Sequence, residues 1–400
     1  MHSENKVCPK CGERTAASAI GVCGDCIRKY GSEVIEESQE SHYSTRRYYS
    51  LPESPPSTKK GIPCNICAHN CVLGLGEKGY CGLRWNENGR LVSLSTTESG
   101  LYYAYTDPHV TNCCAAWFCP AGTGLGYPRY AYCSEPEYGY ENLAIFFYGC
   151  NFDCLFCQNY THKEIRTAPS GTVQDLVKQT LENEKISCWC FFGGSPEPQL
   201  PFAISASRRV LEAVQKKRIL RICFEGNGCG NPLLVMRAAD LSYQTGGCIK
   251  FDLKCWDENL SYALSGVSNK VAYENFRRIA EAYPRRSDHP PVLTAATLLV
   301  PGYVDKTEVE SIAKFIEQID KGIPYSLLVF SPDFMMRDLP ITPVKQVQDC
   351  LAAAQKHLSS VNVGNTGLLS KTWSPLPDPK SKEGPSNHWR KPPDYERRAR

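Results

Sequence analysis

The sequence predicts an α/β fold: a partial (β/α)6-type barrel with an N-terminal cysteine-rich, zinc-ribbon-like module and a second metal-binding module. Three observations carry that expectation. From Leu143 onward, short apolar runs alternate with stretches of helical spacing, the rhythm of repeated βα units. Those runs do not alternate polar with apolar, as suits strands covered on both faces. The 22 cysteines include several C-x2-C pairs in a long chain, which reads as metal binding rather than as disulfides.

Taken in order, Cys8-Pro-Lys-Cys11 and Cys23-Gly-Asp-Cys26 form C-x2-C-x11-C-x2-C. Two such knuckles facing each other make a tetrahedral sulfur site, so residues 1–35 read as a zinc-ribbon-like module. A segment this short relies on the metal for its folding, on the order of 10 kcal/mol. Residues 36–60, rich in Ser, Pro, Glu and Lys, read as a linker. Residues 61–142 read as a cysteine-rich preface and lid. Within them Cys64, Cys67, Cys71 and Cys81 form a second four-cysteine group, expected to hold a structural metal, zinc in preference to a cluster, with both open, and with His69 facing solvent. Tyr102, Tyr103 and Tyr105 are expected to ring the mouth of the barrel beneath a 107–142 lid. Cys113, Cys114, Cys119 and Cys133 are irregularly spaced and are either buried free thiols, ligands of an auxiliary cluster or part of a cofactor-contacting loop. The barrel occupies 143–370, with strands at 143–147, 186–192 and 220–224 and helices at 173–181, 202–214, 271–282, 308–319 and 344–357. Thr172 is the candidate cap of the first of these helices. Residues 371–400 hold eight basic and four acidic residues and read as a disordered basic tail.

The chemistry is concentrated at Cys150, Cys154 and Cys157, spaced C-x3-C-x2-C directly after the first apolar run. Three thiolates on a tight loop can hold three irons of a cubane and leave the fourth open. A structural zinc site instead closes four ligands. Each later strand ends in a polar or glycine-rich phrase: Phe192-Gly-Gly-Ser-Pro196, Glu225-Gly-Asn-Gly228, Phe251-Asp-Leu-Lys254, Thr297-Leu-Leu-Val-Pro-Gly302, Val329-Phe-Ser-Pro-Asp333 and Gly364-Asn365. Parallel barrels place their sites at those C-terminal strand ends. Gly193 and Gly194 allow close backbone approach to a cofactor. Asp252 and Lys254 point to one side of a strand, as an ion pair or as site residues. Cys188 and Cys190 share a strand face and read as core thiols.

In order and wording these motifs resemble the radical SAM superfamily. They are similar to pyruvate formate-lyase activating enzyme and nearest to the AmmeMemoRadiSam-type branch, from about residue 62 to 369. The resemblance implies a 4Fe-4S cluster on Cys150, Cys154 and Cys157, with S-adenosylmethionine (SAM) on the open iron. It implies Phe156 against the adenine, and Gly193, Gly194 and Ser195 at the methionine amino group. Ser195 stands where the family usually has Glu or Asp. Glu225, Asn227, Asp252, Lys254 and Val300 are the further expected cofactor contacts. The implied reaction is reductive cleavage of SAM to a 5′-deoxyadenosyl radical, which takes hydrogen from a protein or peptide. An external donor of flavodoxin or ferredoxin type would supply the electron. Two other classes stay open: a cobalamin-dependent radical SAM C-methyltransferase, although no D-x-H-x-x-G string occurs, and a non-catalytic iron–sulfur electron carrier.

The formal charge of +3, from 45 basic and 42 acidic residues, gives no sign of a nucleic-acid partner. No run of 18 apolar residues and no secretory h-region occur, so neither a membrane span nor export is expected. A reducing cytoplasmic setting is the expectation.

Overall fold

A computed structural model describes residues 6–369, apart from 216 and 288. The expected tail at 371–400 lies outside the described residues. The central sheet has nine strands: β1 (Ser99–Pro108), β2 (Glu141–Phe147), β3 (Ser170–Thr172), β4 (Ile186–Gly193), β5 (Arg221–Gly226), β6 (Ile249–Asp252), β7 (Leu293–Leu299), β8 (Tyr325–Val329) and β9 (Val361–Gly364). Their order is β9-β8-β7-β6-β5-β4-β2-β1-β3. The run from β2 through β4 to β9 is parallel. β1 adds antiparallel to β2, and β3 to β1. The sheet ends in two separate edges, β9 and β3, so the expected barrel is splayed rather than closed.

The helices preceding the sheet are α1 (Gly24–Tyr30) and α2 (Glu36–Tyr48). Those interleaved with it are α3 (Val173–Glu182), α4 (Leu200–Val214), α5 (Pro232–Thr245), α6 (Glu258–Ser265), α7 (Lys270–Ala282), α8 (Lys306–Asp320) and α9 (Val344–Gln355). The five expected helices agree with α3, α4, α7, α8 and α9 to within two residues. Thr172 caps α3 through a reciprocal capping box with Asp175, which satisfies two otherwise unpaired backbone amides. α5, which the sequence expectation does not include, starts with Asn231 as cap and Pro232 in its first turn and stops at left-handed Gly246.

One sheet face is apolar and covered by helices. Trp189, Phe191, Ile222, Phe224, Phe251, Ala295 and Leu327 are buried there, and this burial is the main stabilising term of the fold. The opposite face carries Cys190, Phe192, Cys223, Glu225 and Leu298, which are only half-buried and line a chamber. Tyr102 stacks on Phe202 of α4 at 5.4 Å, so its neighbours Tyr103 and Tyr105, 45% and 39% exposed, lie on the chamber side.

Two expectations about the N-terminal half are corrected. Residues 36–60 are not a plain linker, since 36–48 form α2, with His42, Thr45 and Arg46 buried. Its composition is polar because those side chains bond an ionised group in the core. Residues 107–142 do not form a lid over the C-terminal strand ends. Because β1 runs antiparallel to β2, Pro108 lies opposite Glu141, the first residue of β2, and the 109–140 loop closes the N-terminal end of the barrel. Trp117 Nε1 donates to Ser326 Oγ near the start of β8 (3.0 Å), and His109 Nε2 meets Ser187 near the start of β4 (3.0 Å). Tyr102 is buried, with its hydroxyl donating to Thr172 O, and does not ring a mouth.

This basal plug is held by a buried ion pair. Arg221 donates to both oxygens of Glu137 (2.8 and 2.6 Å) and to Tyr130 O. Replacing Arg221 by Leu strands a buried carboxylate, so chemical denaturation is expected to show a loss of about 3–5 kcal/mol. Burial also keeps His109 and His162 neutral, lowering them to about 4 and about 3. The unfolded chain binds protons at these positions first, so stability is full above about pH 6.5 and declines toward pH 4. Thermal melts across that range should show the decline, at most about 1.4 kcal/mol per pH unit for each histidine.

Candidate active site

The cluster loop follows β2 and ends in a 3-10 turn at Tyr160–Lys163. Cys154 is buried, while Cys150 and Cys157 are half-buried. Cys150 Sγ accepts from Phe152 N (3.3 Å), and Cys154 Sγ lies 3.2 Å from Ser265 Oγ on α6. Burial raises the thiols, Cys157 to about 11, while Lys163 and Lys254 pull the other way. Thiolates here therefore need added positive charge, which fits a bound metal. Among the described residues, ligand atoms converge to within 4.8 Å of one another at Cys8, Cys11, Cys23 and Cys26, and at Cys113, Cys114 and Glu225. The three cluster-loop sulfurs are spread more widely, as a polynuclear group requires and a single ion does not.

The loop is braced from within. Asp153, between the first two cysteines, is fully buried. Its carboxylate meets His42 Nδ1 and Thr45 Oγ1 (3.0 Å each), Lys163 Nζ, and Arg46 NH1 at 3.6 Å. Burial alone would raise its pKa, but Lys163, His42 and Arg46 overcome that and hold it well below the carboxylate range. Asp153 N also donates to Ser265 O and Leu155 N to Leu264 O. His69 is a correction as well. It packs edge-on against Tyr80 at 4.6 Å and bonds Asn151 O rather than facing solvent, and burial lowers it to about 4.

A polar chain links the cluster loop to β4 and β5. Asn227 Nδ2 donates to Asn151 Oδ1 (2.7 Å) and Ser195 Oγ (2.9 Å) and lies 3.9 Å from Cys150 Sγ. Ser195 Oγ donates to Glu197 Oε2, and Gly228 N donates to Glu197 Oε1 (2.7 Å). Glu197 was missed in the sequence. It is buried, and burial raises its carboxyl. The signal was an acid two places beyond Ser195, in Gly193-Gly-Ser-Pro-Glu197, and only the 3-10 turn Glu197–Gln199 brings it back beside Ser195. Gly193 has φ +108°, and a Cβ on Gly194 would lie 2.4 Å from Gly149 O and 2.8 Å from the His162 ring. The close approach Gly194 allows is to the cluster loop itself, and that of Gly193 is to Phe146 and Phe147 at the end of β2.

The remaining expected residues divide. Asp252 and Lys254 form an ion pair, and Lys254 Nζ sits 5.9 Å from the Phe156 ring, beside the cysteine loop. Glu225 is turned to Lys250 Nζ, at 2.9 Å. Val300 is fully buried, its carbonyl accepting from Tyr303 N and Val304 N, and it offers no open surface.

The N-terminal four-cysteine group is assembled, with Cys8–Cys26 and Cys11–Cys23 sulfurs 3.8 and 3.9 Å apart. Tetrahedral zinc with Zn–S of about 2.3 Å sets ligand edges near such values. The module docks on the turn after β7: Tyr303 OH accepts from Ala17 N and donates to Val22 O (2.8 and 2.9 Å). Cys64, Cys67, Cys71 and Cys81 line one narrow cavity with Arg84 and Pro198 without reaching the same mutual closeness. Asp153→Ala leaves Lys163 and Arg46 buried without their anion. It is expected to cost about 3–5 kcal/mol and to lower the iron retained after gel filtration, both measurable on anaerobically reconstituted protein.

Comparison with known proteins agrees with this geometry. Residues 144–316 match the family model of the radical SAM superfamily. A protein of Methanocaldococcus jannaschii named as a glycyl-radical enzyme activating enzyme is 25% identical over 187 residues, covering 47% of this chain and 66% of its own length. The isethionate sulfite-lyase activating enzyme of Desulfovibrio desulfuricans is 30% identical over 160 residues, covering 38% of this chain and 46% of its own. The chain thus spans less than two thirds of either relative. A domain of pyruvate-formate lyase-activating enzyme from Bacteroides vulgatus aligns over 44% of this chain and 98% of that one, at 18% identity and a TM-score of 0.36. No helix among the described residues is long and apolar enough to cross a membrane. With its mixed α/β fold and parallel-dominated sheet, the chain carries a radical SAM domain over residues 144–316 and is similar to the glycyl-radical activating enzymes.

Proposed function

We propose that this chain is a radical SAM enzyme that takes hydrogen from a protein or peptide. The observation that carries the reading is the three-cysteine loop standing over the C-terminal ends of a splayed parallel sheet, tied through Asn227 and Ser195 to Glu197. When bound at Cys150, Cys154 and Cys157, a 4Fe-4S cluster supplies the electron that splits SAM into methionine and a 5′-deoxyadenosyl radical.

The chain's own residues bind, orient and exclude. Ser195 and Asn227 fix the Glu197 carboxylate beside the loop, where it can receive the methionine ammonium in place of the acid that Ser195 replaces. Lys254 stays charged: burial works against this, but Asp252 and the neighbouring thiols raise its pKa. It faces the Phe156 ring and can meet a carboxylate or the adenine side of the cofactor. Gly194 N donates to Phe147 O (2.9 Å), holding the end of β4 against the end of β2, from which the loop springs.

The open sheet edge favours a large substrate. Tyr103, Tyr105, Phe146 and Phe192 form a continuous aromatic wall on the chamber side, with ring centroids 5.6–6.5 Å apart. Such rings offer contact area at low entropy cost to a polypeptide loop. An external flavodoxin- or ferredoxin-type donor, zinc at Cys8, Cys11, Cys23 and Cys26 serving docking or stability, and a reducing cytoplasmic setting complete the reading.

Two measurements test it. Glu197→Gln should weaken SAM binding about 10-fold, close to 1.4 kcal/mol, with iron content unchanged, as read by anaerobic equilibrium dialysis; unaltered affinity would remove Glu197 from the amino-group site. In incubations with SAM, dithionite and deuterated substrates, polypeptides should deliver deuterium into 5′-deoxyadenosine. Transfer from small metabolites alone would overturn the protein-substrate reading.

A further inference from the structure

The chamber face of the sheet carries a second set of thiols for which radical generation has no use. Register sets Cys190 of β4 beside Cys223 of β5. Cys248, preceding β6, donates its amide to Cys223 Sγ at 3.4 Å. The basal loop brings in Cys113 and Cys119, packed with Trp117 and Phe118, and between them Cys114. Lys250 on β6, 1% exposed, donates to Cys113 Sγ (3.0 Å) and Cys190 Sγ (3.2 Å) and pairs with Glu225. The sulfurs of Cys113 and Cys114 and the Glu225 carboxylate lie within 4.8 Å of one another. All six cysteines are free.

Inert core thiols behave as small hydrophobic groups and require no cation. A buried ammonium is costly unless it meets anions, and this one is aimed at two sulfurs and a carboxylate. Six sulfurs from two strands, a strand-leading segment and a loop exceed the four ligands that one tetrahedral ion takes. Beyond the Cys113, Cys114 and Glu225 corner, they do not all converge to within 4.8 Å of one another, which is too wide a spread for a single ion. Four thiolates so arranged suit an iron–sulfur cluster.

We propose that this chamber binds a second iron–sulfur cluster, held by Cys113 and Cys114 of the basal loop and Cys190 and Cys223 of β4 and β5, with Lys250 hydrogen-bonded to its ligand sulfurs. Each thiol loses its proton on ligation. A cation and hydrogen bonds at the sulfurs favour the more reduced, more negative state and raise the potential. The ligands are distinct from Cys150, Cys154 and Cys157 and lie toward the opposite end of the barrel, so the site stands whether or not SAM is cleaved.

The test uses the full chain, reconstituted anaerobically with iron and sulfide, with Cys150, Cys154 and Cys157 all replaced by Ala. This variant should keep one cluster's worth of iron and acid-labile sulfide, with an EPR signal after dithionite reduction. Adding Cys113→Ser/Cys114→Ser, or Cys190→Ser/Cys223→Ser, should abolish the signal, whereas Cys64→Ser/Cys67→Ser should leave it. Lys250→Met in the same background should keep the iron but lower the midpoint potential, a shift that a purely packing lysine would not give. If the thiol replacements fail to fold, the Lys250→Met potential and the iron count of the parent variant decide. Absence of iron in that parent, iron indifferent to both thiol pairs, or zinc bound there in its place would overturn the proposal.

Discussion

Burial of one carboxylate sets the geometry on which the rest of the site depends. Asp153 lies inside the cysteine motif yet points away from it, into a pocket of His42, Thr45, Arg46 and Lys163. A buried ion survives only when its partners replace the lost hydration. Three of these partners, His42, Thr45 and Arg46, come from α2, and Lys163 comes from the turn that closes the loop. α2 thereby anchors the cysteine loop from behind, as Asn227 and Ser265 hold it from the β5 and α6 sides.

The sheet separates two kinds of work by height. Its C-terminal ends carry the open cysteine loop, the Ser195–Glu197 pair and the Lys254–Asp252 pair. Its N-terminal end is sealed by the Glu137–Arg221 pair and the loop around it. Between them lies a chamber lined with thiols, Lys250 and Glu225, bounded laterally by Tyr103, Tyr105 and Phe192. The base is sealed, and the aromatic wall lies on β1, β2 and β4, on the chamber side of the sheet.

Much of this was legible in the sequence, for physical reasons. Strands covered on both faces are written as apolar runs, so the parallel strands could be read, and Thr172 marked a helix start. Close-spaced cysteines marked the cluster loop and the zinc-type site because their ligands are local. What could not be read depended on long-range contact. α2 looked like a linker because its buried polar residues are matched by Asp153, more than 100 positions away. The 109–140 loop looked like a lid because nothing local shows that β1 runs antiparallel and returns the chain to the other end of the sheet. Glu197 was hidden by a turn that shifts the acid two positions, and Cys190, Cys223 and Cys113 converge only through strand register and loop insertion.

The central claim is that the iron left open at Cys150, Cys154 and Cys157 takes SAM directly. Electron-nuclear double resonance on the reduced, reconstituted chain with SAM labelled by 15N at the amino group and 17O at the carboxylate tests it most directly. The account predicts hyperfine coupling from both labels that disappears in Cys150→Ala. Tight SAM binding without coupling to any cluster would contradict it.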